Sequence, residues 1–123
     1  NVSRHASIGK YCLIGKNTKI GSDVRIGDFT YFNSDNHWIT IEPNTEIGKF
    51  CSFAPGVTVG LGNHNYNNVT THPILYNKYY LKKISKKEIC LFQDGLVDNK
   101  DKTIIGNDVW IGMSANIKRG VKN

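Results

Sequence analysis

The sequence predicts an all-β protein wound as a parallel solenoid. Three observations predict it: an aliphatic or phenylalanine residue recurs every six positions, a glycine-rich column follows it, and the fifth place of each hexad is small or β-branched. Counted from Val2, the first column reads Val2, Ile8, Ile14, Ile20, Ile26 and Phe32. It restarts after three extra residues as Ile41, Ile47, Phe53 and Val59, and after a long interruption as Ile105, Ile111 and Ile117. Columns held in register over this length mark a repeat architecture, in which one short unit stacks on the next.

The hexad dictates the local geometry. Strand residues alternate between two faces, so positions one and five point inward together. The fifth column runs Ala6, Cys12, Thr18, Val24, Thr30, Thr45, Cys51, Val57, Val109, Ala115 and Val121, which suits a narrow interior. Cys12 and Cys51 are thereby expected to be buried and structural. Only Asn36 and Asn63, each beside a break, depart from that column. At the fourth position Asn17, Asp23, Asn44 and Asp108 suit a sharp corner, because such residues tolerate a left-handed backbone. A helix is excluded, since a stripe with a period of about 3.6 residues cannot hold a period of six. Roughly four coils at ~4.8 Å spacing predict a prism about 20 Å tall.

A chain of 123 residues fits one domain, 1–123, within which 61–104 is an extended loop without hexads. A core this small gains from burial against a partner chain. No apolar run approaches the ~18 residues that would span a bilayer, so no membrane is expected. Three cysteines, Cys12, Cys51 and Cys90, cannot pair completely and lack metal-site spacing, which points to a reducing, cytoplasmic setting. The net charge of +6 is compatible with nucleic acid, an anionic surface or a phosphate-bearing small molecule. No RNA-binding aromatic motif, helix-turn-helix pattern or zinc-finger spacing supports the first, so no nucleic-acid partner is expected. Both ends lie inside the repeat, so the chain is expected to be a fragment of a longer solenoid.

The interruption opens on His64 in "GLGNHNYNN" and contains the aromatic, lysine-rich stretch "NKYYLKKISKKEICLF". Histidine titrates near pH 6.5 in model peptides, which suits a general base. Trp110 takes the sixth, outward place of its hexad, an exposure that points to a contact surface. Near the first break, Tyr31, Asn33, Asp35 and His37 gather polar groups. Asn33 and Asn36 break their columns there, and such departures often mark functional sites.

The tandem hexads resemble the left-handed parallel β-helix of the hexapeptide-repeat acyltransferases, and the handedness rests on that resemblance alone. The pieces "GNHNYNNVTTHPILY" and "IGNDVWIGMSANI" resemble the xenobiotic acetyltransferase branch. That branch includes virginiamycin and type B chloramphenicol acetyltransferases and O-acetyltransferases of bacterial surface sugars. The resemblance implies an acetyl-coenzyme A-dependent O-acetyltransferase with His64 as base, and a homotrimer with sites between subunits. It places Tyr31, Asn33, Asp35 and His37 at the acceptor, and Trp110, Gly112, Ser114, Ala115, Lys118 and Arg119 at acetyl-coenzyme A. His72, before Pro73, is implied to be structural. No metal is implied. A surface sugar is the expected acceptor, with an antibiotic as the alternative. Two rivals from other classes are a three-histidine zinc hydrase on the same helix, which needs tighter histidine spacing, and a non-catalytic scaffold.

Overall fold

The computed structural model describes residues 1–64, 66–67, 69–75, 77, 82–83 and 101–123. Within these it divides into two compact units, Asn1–Leu61 with Lys100–Asn123, and Gly62–Asn99.

The first unit is the solenoid, a left-handed parallel β-helix. Twelve short strands sort into three four-stranded sheets, one strand of each sheet per coil. Sheet 1 stacks β1 (Ser7–Ile8), β4 (Arg25–Ile26), β7 (Thr45–Ile47) and β10 (Thr103–Ile105). Sheet 2 stacks β2 (Leu13–Ile14), β5 (Tyr31–Phe32), β8 (Ser52–Phe53) and β11 (Trp110–Ile111). Sheet 3 stacks β3 (Thr18–Ile20), β6 (Ile39–Ile41), β9 (Thr58–Leu61) and β12 (Asn116–Lys118). All pairings are parallel, and first-column residues face one another from coil to coil: Ile8, Ile26, Ile47 and Ile105 in sheet 1, and Ile14, Phe32, Phe53 and Ile111 in sheet 2. The prism is therefore four coils deep.

The interior follows from the two inward columns. Ile20, Ile26, Phe32, Ile41, Ile47, Phe53, Val59, Ile105 and Ile111 are buried, as are Val24, Cys51 and Val57 from the fifth column. Cys12 packs partly buried against them. The two thiols donate to carbonyls of the next coil, Cys12 Sγ to Gly27 at 3.2 Å and Cys51 Sγ to Gly106 at 3.1 Å, which gives both a structural role. Phe32 and Phe53 stack with ring centroids 4.6 Å apart.

Two expectations need correction. Asn36 does not occupy a fifth-column slot. Ile39, fully buried and paired with Thr18, fills it, while residues 36–38 form an exposed three-residue insertion at the corner between sheets 2 and 3. The column is unbroken because the extra residues loop outward. Asn17 is also absent from the left-handed corners that Asp23, Asn44 and Asp108 adopt. Its backbone N–H instead donates to Ser34 Oγ at 3.1 Å and its side-chain amide to the Asp35 carbonyl at 2.7 Å.

Strand pairing narrows the interruption to 62–102, since Leu61 still belongs to β9 and Thr103 opens β10. In the second unit a short 3-10 turn covers Pro73–Leu75, closed by the Asn77 N–H donating to the Pro73 carbonyl at 2.8 Å. Cys90 and most of the aromatic, lysine-rich stretch 77–92 lie outside the described residues.

Candidate active site

His64 lies in the second unit, three residues after β9 ends. Its Nδ1 is 2.9 Å from the Thr71 carbonyl oxygen. A carbonyl can only accept, so Nδ1 carries the proton and, in the neutral ring, the basic lone pair belongs to Nε2. His72 uses the opposite arrangement. Its Nδ1 accepts from the Ile74 N–H at 3.1 Å, while its own N–H donates to Thr70 Oγ1 at 3.1 Å. Those bonds brace the start of the 3-10 turn. Segment 70–74 thus separates the two histidines chemically: one is oriented through its donor nitrogen, the other engages a ring lone pair to hold backbone.

In the first unit, sheet 2 brings several expected site residues to one outer face. Leu13, Tyr31, Ser52 and Trp110 stand opposite one another on successive coils. Tyr31 and Trp110 are therefore two strand spacings apart, about 10 Å, with Ser52 between them. Trp110 is 79% exposed, as its sixth position predicts. The corner that follows carries Asn33, Asp35 and His37 on the second coil and Gly112 and Ser114 on the fourth. Asn33, Asp35, His37 and Ser114 are all exposed, and Asp35 and Ser114 turn with positive φ.

The remaining expected residues are elsewhere. Ala115 packs against the hydrophobic core. Lys118 ends β12 in sheet 3, opposite Leu61. Arg119 follows at the next corner, where its N–H donates to the Leu61 carbonyl at 2.9 Å and its Nε to the Gly60 carbonyl at 3.4 Å. Lys118 and Arg119 thus stand across sheet 3 from Ser114. Sequence reading missed Ser52, whose place between Tyr31 and Trp110 appears only once hexads are grouped three to a coil.

Two surface carboxylates are electrostatically held in this unit. Asp28 Oδ1 accepts from the Lys10 backbone N–H at 2.8 Å, and Lys49 Nζ lies 3.4 Å from Oδ2. The backbone bond, then the Lys49 bond and charge, hold its pKa below the usual value. Glu46 is likewise depressed, chiefly by the hydrogen bond and charge of Lys102, whose Nζ is 2.8 Å away. Among the described residues no three His, Cys, Asp or Glu side chains come together as a metal site, and no helix is long and apolar enough to cross a membrane.

The described residues thus present a four-coil parallel β-helix of hexads, and, in the segment that follows β9, a histidine oriented by a backbone carbonyl. By sequence comparison the chain is similar to acetyltransferases that act on antibiotics. It is 35% identical over 94 residues to a Lysinibacillus sphaericus protein described as "Probable macrolide acetyltransferase", covering 74% of this chain and 48% of that one. It is 34% identical over 79 residues to a chloramphenicol acetyltransferase of Escherichia coli, and 32% identical over 81 residues to one of Klebsiella aerogenes. Each of those two matches covers 62% of this chain and 34% of the relative. The chain spans between a third and a half of the length of these curated relatives. No family model and no solved structure matches it.

Proposed function

We propose that the whole protein transfers an acetyl group from acetyl-coenzyme A to a hydroxyl of a small acceptor, with His64 as general base. The observation that carries this reading is the 2.9 Å contact between His64 Nδ1 and the Thr71 carbonyl. It supports the tautomer whose Nε2 can accept a proton. In the reaction Nε2 takes the acceptor's hydroxyl proton while that oxygen bonds to the thioester carbonyl carbon. The carbon–sulfur bond then breaks, and the leaving thiolate recovers the proton from the imidazolium. No protein nucleophile is needed. Backbone N–H groups would steady the developing oxyanion.

Several residues of the first unit suit the donor. Trp110 offers an exposed apolar surface, and a Cβ added at Gly112 would meet nothing within 4 Å, so the backbone there is open to close approach. Ser114 adds an exposed hydroxyl beside it. Tyr31, Asn33, Asp35 and His37 are assigned to the acceptor, on the same side of the prism. Between the two expected acceptor classes, the relatives' names, macrolide and chloramphenicol acetyltransferase, favour an antibiotic over a surface sugar. A homotrimer is proposed as the working assembly, because exposed Leu13, Tyr31 and Trp110 make an apolar column that a neighbouring subunit can cover. The acetyl donor puts the reaction in the cytoplasm.

The test is thiol release from acetyl-coenzyme A by the full-length protein with chloramphenicol, a macrolide or a hydroxyl-bearing sugar as acceptor. Release that depends on an antibiotic supports the reading. Release with sugars alone overturns the acceptor, and release with none overturns the enzyme.

A further inference from the structure

A second polar site lies elsewhere on the first unit. A cavity of about 370 Å³ is lined by His5, Ser7, Asp23, Arg25, Asn44 and Lys102. The hexad explains how they meet. His5, Asp23 and Asn44 are the fourth-position residues of three successive coils at the corner leading into sheet 1. Ser7 and Arg25 face outward from β1 and β4 as register partners, and Lys102 immediately precedes β10. Parallel stacking therefore delivers one polar side chain per coil, ~4.8 Å apart, along a single corner.

The cavity's chemistry is that of an anion site. Among the described residues the exposed Arg25 guanidinium makes no direct hydrogen bond or ion pair, although it lies within electrostatic reach of Glu46. Lys102 brings a second permanent cation, held 2.8 Å from Glu46 Oε2. The Arg4 Nε donates to His5 Nε2 at 3.2 Å, so the neutral His5 ring keeps its proton on Nδ1 as a further donor. Ser7 adds a hydroxyl. A guanidinium fork beside an ammonium and neutral donors matches a tetrahedral oxyanion better than a single planar carboxylate. Asp23 repels anions and accepts hydrogen bonds, so a ligand must turn hydroxyls toward it.

We propose that this cavity binds a phosphate monoester carried on a small hydroxyl-bearing body, of the sugar-phosphate class. The site is separate from the residues assigned to acetyl transfer, and its test is direct binding, so failure of one reading leaves the other standing. Coenzyme A also carries a phosphate monoester, and the experiment distinguishes that source.

The experiment is a calorimetric titration of the full chain with inorganic phosphate, glucose 6-phosphate, acetate, coenzyme A and dephospho-coenzyme A. Saturable binding of glucose 6-phosphate, tighter than phosphate and much tighter than acetate, is expected. Arg25→Gln should weaken it by about tenfold or more, the scale of one lost charged hydrogen bond. Glu46→Gln should strengthen it several-fold by removing the carboxylate that competes for Lys102. Lys19→Gln, on the outer face of sheet 3, should leave it unchanged. An Arg25-dependent preference for coenzyme A over dephospho-coenzyme A would make the coenzyme the source of the phosphate. Absence of saturable phosphate binding, equal affinity for acetate, or unchanged affinity in Arg25→Gln with an unaltered melting curve overturns the proposal.

Discussion

The imidazole of His64 and the carbonyl of Thr71 are joined at 2.9 Å through Nδ1. This one bond separates two roles that substitution can isolate. His64→Ala removes both the proposed base and its anchor. His64→Asn keeps a side-chain N–H donor for the Thr71 carbonyl but has no basic nitrogen. Both variants in the full-length protein should lose about 10²–10⁴-fold in kcat, the usual worth of a positioned base. His64 is exposed, so their melting temperatures should match the parent protein. If His64→Asn turns over normally, Nε2 is not the base.

Coil stacking makes a sharper structural prediction at Gly48. A Cβ there would lie 2.5 Å from the Gly106 carbonyl oxygen and 2.5 Å from Asn107 Oδ1, which itself accepts from the Lys49 N–H at 2.8 Å. Backbone on one side and a hydrogen-bonded amide on the other leave nothing free to move aside. Gly48→Ala should cost about 1–3 kcal/mol, as other overpacked sites do. Gly112→Ala, with open space around the added carbon, should change stability by no more than about 0.5 kcal/mol. The same Gly112→Ala should raise the KM for acetyl-coenzyme A if the donor lies against that backbone. Urea denaturation of both variants, with steady-state kinetics on the second, checks the pair.

The buried threonines allow a prediction of opposite sign. Thr30 Oγ1 donates to the Gly48 carbonyl at 2.9 Å and accepts from the Cys51 N–H at 3.1 Å, and Thr45 Oγ1 donates to the Glu42 carbonyl at 2.8 Å. Thr18 Oγ1 is fully buried without a hydrogen-bond partner among the described residues. Thr18→Val replaces that hydroxyl with a methyl of similar size and should stabilise by about 1 kcal/mol, whereas Thr30→Val strands two backbone groups and should destabilise by about 1–3 kcal/mol. Thermal melts of the two variants should move in opposite directions.

The hexad made most of this fold legible, because one physical rule, inward residues at positions one and five, repeats in every coil. Buried Ile26, Ile47 and Val57 needed no more than counting. The rule fails where local geometry overrides residue type. Tyr11, Phe29 and Phe50 take left-handed φ values of 58°, 59° and 59°, which bulky side chains seldom adopt. Stacking offsets that strain: successive rings lie 5.0 and 5.2 Å apart along one corner. Only the spacing of whole coils, not the preferences of single residues, could have revealed it. His64 stood out by its motif, but the orientation of its ring depends on where the Thr71 carbonyl falls, which no periodicity encodes. The placing of Lys118 and Arg119 was illegible for a related reason: adjacency in sequence to Ser114 and Ala115 becomes separation across a sheet once the chain turns.

Acid should weaken the solenoid through Asp28 and Glu46. Both carboxyls are held below their ordinary values of 3.8 and 4.5, Asp28 chiefly by the Lys10 N–H and Glu46 chiefly by Lys102. A carboxyl depressed in the folded state binds fewer protons there than in the unfolded chain, so its stabilising contribution is complete above the unfolded pKa. The contribution disappears as pH falls through the lower, folded value. Melting temperature should therefore fall between about pH 5 and pH 3. Asp28→Asn keeps an acceptor for Lys10 but cannot titrate, and Glu46→Gln does the same for Lys102. The double variant should start with a slightly lower melting temperature near neutrality and show a shallower acid decline. High salt should shrink the difference from the parent, because both ion pairs are solvent-accessible. Parallel acid curves for the two proteins would mean that the loss arises at other groups.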